Sequence, residues 1–106
     1  MAEWHDIGAL EELPDREGKL VEIGGEPIAV FRDGESVRAI DDLCPHQGAS
    51  LSTGTYHGGR VICPWHDWVF DTATGQCPRE THEPVRAHEA RVRDGRVEVA
   101  LTADGA

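Results

Sequence analysis

Short apolar runs separated by glycine-bearing turns set the rhythm of this chain. Leu20-Val21-Glu22-Ile23 and Pro27-Ile28-Ala29-Val30-Phe31 flank Gly24-Gly25-Glu26. Phe31-Arg32 and Val37-Arg38-Ala39-Ile40 flank Asp33-Gly34, and Ala90-Arg91-Val92-Arg93 and Arg96-Val97-Glu98-Val99 flank Asp94-Gly95. Two short runs joined by such residues predict a β-hairpin, because the turns that match strand twist require positive φ. The last pair alternates cleanly. Ala90 and Val92 fall on one face of its first strand, and Val97, Val99 and Leu101 on one face of its second. A helical period finds support only over Gly8 to Leu13, where Pro14 stops it. The chain therefore reads as all-β.

The chemistry lies between strands. Ile40-Asp41-Asp42 leads into Cys44-Pro45-His46, and Val61-Ile62 leads into Cys63-Pro64-Trp65-His66. Trp68-Val69-Phe70 leads away toward a turn at Thr74-Gly75. Each segment offers one thiolate and one imidazole. Pro45 and Pro64 follow the cysteines, fix φ and remove a backbone donor, so each ligand sits in a stiff loop. Gly48 lets the backbone approach where a side chain would crowd a bound group. Two cysteines and two histidines also suit structural zinc, but the usual zinc pattern groups cysteines in one knuckle and histidines in another. Here they alternate: Cys, His, Cys, His.

A C-x-H followed by C-x-x-H resembles the motif of the Rieske family, and the resemblance extends over essentially the whole chain. It implies one [2Fe–2S] cluster, with Cys44 and Cys63 on one iron and His46 and His66 on the other. Two neutral imidazoles in place of two thiolates leave the oxidised cluster about two charges less negative, so an electron is accepted more readily. Such centres span roughly −150 to +300 mV, against about −400 mV for plant-type ferredoxins. The resemblance also implies stacked antiparallel sheets with a small cluster-binding lobe made of two loops, here at about 41–75, in a single domain over 1–106.

Within the family, quinol-oxidising members carry two further cysteines joined as a disulfide, where this chain has Ala49 and Trp65. High-potential members resemble C-x-x-H-G-S-x-Y, whose hydroxyls donate to cluster and cysteine sulfur. Trp68 stands in place of that serine and Phe70 in place of that tyrosine, and neither can replace the hydroxyl. A potential near the low end of the range is therefore expected. Asp67 replaces the usual glycine after the second histidine. Aspartate is among the less costly residues should positive φ be required. Cys77 reads as a small apolar residue.

At 106 residues the chain has room for one domain and not for a second catalytic one. Twenty acidic against ten basic residues give a net charge of −10, which argues against nucleic acid and suits steering toward a basic protein surface. Met1 to Leu13 has no apolar run, and no pair of cysteines is left over for a structural disulfide. A cytoplasmic protein without a membrane anchor is expected. A lone one-electron centre, with no nucleotide-binding fingerprint or second metal motif, should relay electrons and not turn over a substrate. The family resemblance implies a ferredoxin that passes electrons from a flavoprotein reductase to a terminal dioxygenase. The alternatives are the small subunit of an assimilatory nitrite reductase, partnered by its large subunit, and a zinc-stapled interaction module.

Overall fold

The computed structural model describes residues 3–43, 50–63, 69–76 and 85–102. Among them run nine strands: β1 (Trp4–Ala9), β2 (Gly18–Ile23), β3 (Glu26–Asp33), β4 (Ser36–Asp41), β5 (Thr55–His57), β6 (Arg60–Ile62), β7 (Val69–Asp71), β8 (Ala87–Arg93) and β9 (Arg96–Ala100). Two short 3₁₀ turns, Leu10–Glu12 and Leu51–Thr53, interrupt them. A six-stranded sheet in the order β1-β9-β8-β4-β3-β2 and a three-stranded sheet β5-β6-β7 are antiparallel throughout.

All three expected hairpins form, and turn geometry explains two shifts of boundary. Gly24 and Gly25 both have positive φ and pair Ile23 with Glu26, so Glu26 opens β3 instead of lying in the turn. In the β3–β4 hairpin the loop is Gly34-Glu35, with glycine alone at positive φ and Asp33 paired to Ser36. Asp94 and Gly95 take φ of 52° and 75°, both positive as a type I′ turn requires. A fourth hairpin, β5–β6, turns on Gly58-Gly59 in the same manner, with His57 opposite Arg60. Its Gly-Gly pair is a turn signal of the same local kind as Gly24-Gly25.

The amino terminus differs from expectation. The helical period over Gly8 to Leu13 yields only the turn Leu10–Glu12, and the preceding residues are β1, paired to β9. The register slips between Asp6 and Gly8. This bulge breaks the period of two by which a strand announces itself.

Two apolar clusters form the interior. Leu13, Ile23, Ile28, Val30, Val37, Ala39, Val97 and Val99 pack together, with Ala90, Val92 and Leu101 against them, as the alternation in the last hairpin required. A second cluster joins the sheets: Ala29, Phe31 and Ile40 from the larger, Tyr56, Val61 and Phe70 from the smaller, with Leu51, Cys63 and Val85. Phe31 and Tyr56 stack at 5.0 Å between centroids. Burying a ring such as Phe31 or Phe70, both fully enclosed, contributes about 1.5–3 kcal/mol each. The interior cluster thus fixes the small sheet, and with it the first residue of the second ligand segment, on the larger one.

Candidate metal centre

Both ligand segments are held at their bases by strand pairing. Leu43 and Ser50 form an antiparallel bridge that closes the stretch 44–49, and Ile62 pairs with Val69 across 64–68. The described residues on either side of each stretch are thus adjacent. Cys44, Pro45, His46 and Gly48 lie outside the described residues, as do Pro64, Trp65, His66, Asp67 and Trp68. Ala49 and Cys77 lie outside them too. The described members of the predicted site are Cys63 and Phe70.

Cys63 directly follows β6, fully buried in the cluster with Leu51, Val61, Phe70 and Val85 and free of any disulfide. A thiol so placed has its back to a rigid apolar wall, which suits a ligand that must hold one position. Phe70 is fully buried in the same cluster. Its ring supplies packing and no hydroxyl. The chemistry of the two Cys-and-His segments in the sequence, with the one described cysteine, Cys63, buried in the core, fits a [2Fe–2S] cluster of mixed ligation. Among the described residues no group of three or more His, Cys, Asp or Glu converges elsewhere to hold a metal.

The Rieske [2Fe-2S] domain profile matches residues 3–97. The chain belongs to the Rieske family. It carries one Rieske-type [2Fe–2S] cluster. This Rieske chain is 45% identical over 101 residues to the anthranilate 1,2-dioxygenase ferredoxin subunit of Burkholderia cepacia, covering 93% of each. It superposes with a TM-score of 0.82 and 33% identity on a chain from the complex of reduced oxygenase and oxidised ferredoxin of carbazole 1,9a-dioxygenase, covering 92% of each. It also superposes, at a TM-score of 0.88 and 29% identity, on a chain described as the small subunit of an NADH-dependent nitrite reductase from Mycobacterium tuberculosis. That match covers 97% of this chain and 98% of the other.

Around the first loop the Rieske chain has polar machinery that the motif does not announce. Asp41 and Asp42, adjacent in sequence, face different partners. Asp41 accepts from Arg86 Nε at 3.0 Å, Arg86 Nη2 at 3.1 Å and the Arg86 backbone N–H at 3.1 Å. Glu26 takes a further Arg86 hydrogen bond. His88 reads from sequence as a surface residue, but its side chain is entirely enclosed. The Thr102 backbone N–H donates to Nδ1 at 2.9 Å, so the ring proton sits on Nε2 and points at Asp41 Oδ1, 2.9 Å away. This cluster pins β8 and the segment after β9 to the end of β4.

Partial burial alone would raise the Asp41 pKa, but the hydrogen bonds from Arg86 and His88 outweigh it and hold the carboxyl below its usual value. A carboxyl with depressed folded-state pKa stabilises fully above its unfolded value of about 3.9, and the contribution disappears as pH falls through the lower folded value. Asp41→Asn is therefore expected to lose stability at neutral pH and to show a shallower further loss below about pH 4 than the native chain. Urea midpoints from pH 3 to 6 check this. Parallel curves for the two proteins would refute it.

Proposed function

We propose that this chain is an electron carrier that takes single electrons from a flavoprotein reductase and delivers them to a terminal ring-hydroxylating oxygenase. The observation that carries the reading is the near end-to-end match at 45% identity to a dioxygenase ferredoxin subunit. The ligands in this reading are Cys44 and Cys63 on one iron and His46 and His66 on the other. The bound cluster supplies reversible one-electron transfer. The protein's part is to hold the ligand loops rigid and to present a small, acidic surface, at a net charge of −10, to basic partners. The chain acts as one domain over 1–106, with the lobe at about 41–75, and has no catalytic activity alone.

Among the described residues no helix is long and apolar enough to cross a membrane. A cytoplasmic location is part of the proposal. The nitrite reductase reading has a specific observation behind it, the fold match to such a small subunit at a TM-score of 0.88. Affinity capture of the holoprotein from its own cells separates the two. Recovery of oxygenase and flavoprotein reductase supports the first, and recovery of a sirohaem nitrite reductase replaces it with the second. A colourless protein containing zinc and no iron would end both.

The missing hydroxyls at Trp68 and Phe70 predict a midpoint near the low end of the roughly −150 to +300 mV range. Direct voltammetry of the holoprotein measures it. A midpoint well above zero would refute the prediction.

A further inference from the structure

The second aspartate of the pair, Asp42, is 2% exposed, yet every polar atom it has is engaged. Its N–H donates to the Pro27 carbonyl at 3.1 Å, and its carbonyl accepts from the Leu51 N–H at 2.7 Å. Carboxylate Oδ1 accepts from the Ser52 N–H at 2.9 Å, and Oδ2 accepts from Ser50 Oγ at 2.7 Å. Ser50 Oγ and Ser52 Oγ lie 2.9 Å apart. Since the Ser50 hydroxyl proton goes to Asp42, Ser52 is the donor between them. One side chain therefore ties the residues just before Cys44 to those just after Ala49, across the bridge from Leu43 to Ser50.

The same short turn reaches the other ligand segment. Leu51 is fully buried in the cluster that holds Cys63. At Gly54 the chain runs so close to β6 that a Cβ would lie 2.2 Å from the carbonyl oxygen of Ile62, the residue before Cys63. Asp42 thus grips a segment, 50–54, whose far side rests on the scaffold of the second segment.

We propose that Asp42 is a positioning residue for the cluster: its carboxylate, through Ser50 and Ser52, fixes the two ends from which the Cys44-Pro45-His46 segment starts and returns, Leu43 and Ser50, against the scaffold of the Cys63 segment. The proposal rests on the ligand assignment above. A carboxylate suits the task because it accepts from an N–H and a hydroxyl at once, on separate oxygens, with no competing donor of its own. Alanine leaves the Ser52 N–H buried and without that acceptor, and frees the loop base. Asparagine keeps the shape and the acceptor for Ser52, while its amide can donate to a rotated Ser50 hydroxyl.

The test compares holoproteins of the native chain, Asp42→Ala, Asp42→Asn and Ser50→Ala. Iron release to an excess of chelator is timed in buffer where far-UV circular dichroism shows each to be folded, and the EPR spectrum of each reduced protein is recorded. Removing outer groups that orient metal ligands typically costs 10–100-fold in metal affinity or activity. Asp42→Ala is expected to release iron about tenfold faster or more with a broadened or shifted g pattern, Asp42→Asn to recover most of the native behaviour, and Ser50→Ala to fall between. A folded Asp42→Ala with native release rate and native EPR overturns the proposal. Should that variant not fold, Ser50→Ala decides in its place, since native release and an unchanged spectrum there would overturn it equally. A native chain without iron would instead refute the cluster assignment itself, so the two failures are distinct.

Discussion

Cys63→Ala is expected to yield a folded protein without the cluster: the visible absorption of the native chain and the EPR signal of its reduced form should both vanish. The thiol is fully enclosed among Leu51, Val61, Phe70 and Val85, so alanine leaves an apolar interior and a small cavity. The cost to the fold is about 1 kcal/mol, against loss of one of two thiolates on an iron. The two consequences separate experimentally. Far-UV circular dichroism should stay near that of the native chain while iron and sulfide content fall below about a tenth of it. A variant that keeps its full complement of iron with an unaltered spectrum would remove Cys63 from the ligand set. This substitution is the sharpest check on the assignment.

The largest effect on stability is expected at Gly75. Its φ is +78°, a left-handed value that alone makes a side chain costly by about 1 kcal/mol. A Cβ there would also lie 2.0 Å from the carbonyl oxygen of Val85 and 3.2 Å from the Ala87 nitrogen, backbone atoms that cannot rotate away. The approach is built into the fold, since Gly75 N–H donates to Asp71 at 2.7 Å and its carbonyl accepts from Val85 N–H at 2.8 Å. Gly75→Ala should therefore destabilise by about 3 kcal/mol or more, lowering Tm by roughly 12–24 °C in a domain of this size. Gly25→Ala provides the control: its φ is +82° but nothing lies within 4 Å of its Cβ position, so it should lose only about 1 kcal/mol. Equal losses at the two sites would show that the clash at Gly75 is relieved by movement of the 85–87 segment.

These two substitutions also mark how far the chain can be read without its fold. Cys63 was legible as a candidate ligand because its signal is local: Cys-Pro-Trp-His is four consecutive residues, and its pairing with Cys44-Pro45-His46 needs only their order. The hairpins were legible for the same reason. Asp94-Gly95 and Gly24-Gly25 carry their dihedral preference in themselves, and alternation on either side sets the register. Gly75 could be read as a turn residue, but not as a point of contact with Val85. The approach of those two residues is set by where β7 and β8 are placed.

The sequence by itself determined the all-β class, the Cys, His, Cys, His order and so the family, because periodicity, turn chemistry and donor spacing act over a few residues. Tertiary structure alone decided which distant segments meet. It paired β1 with β9 across a bulge that hid the strand, and it enclosed His88 between Asp41 and Thr102. It also turned Asp42 inward to clasp Ser50 and Ser52 while its neighbour Asp41 faced Arg86. Adjacent residues in extended chain point to opposite sides, so two aspartates alike in sequence acquire different partners only when the sheet on each side is in place.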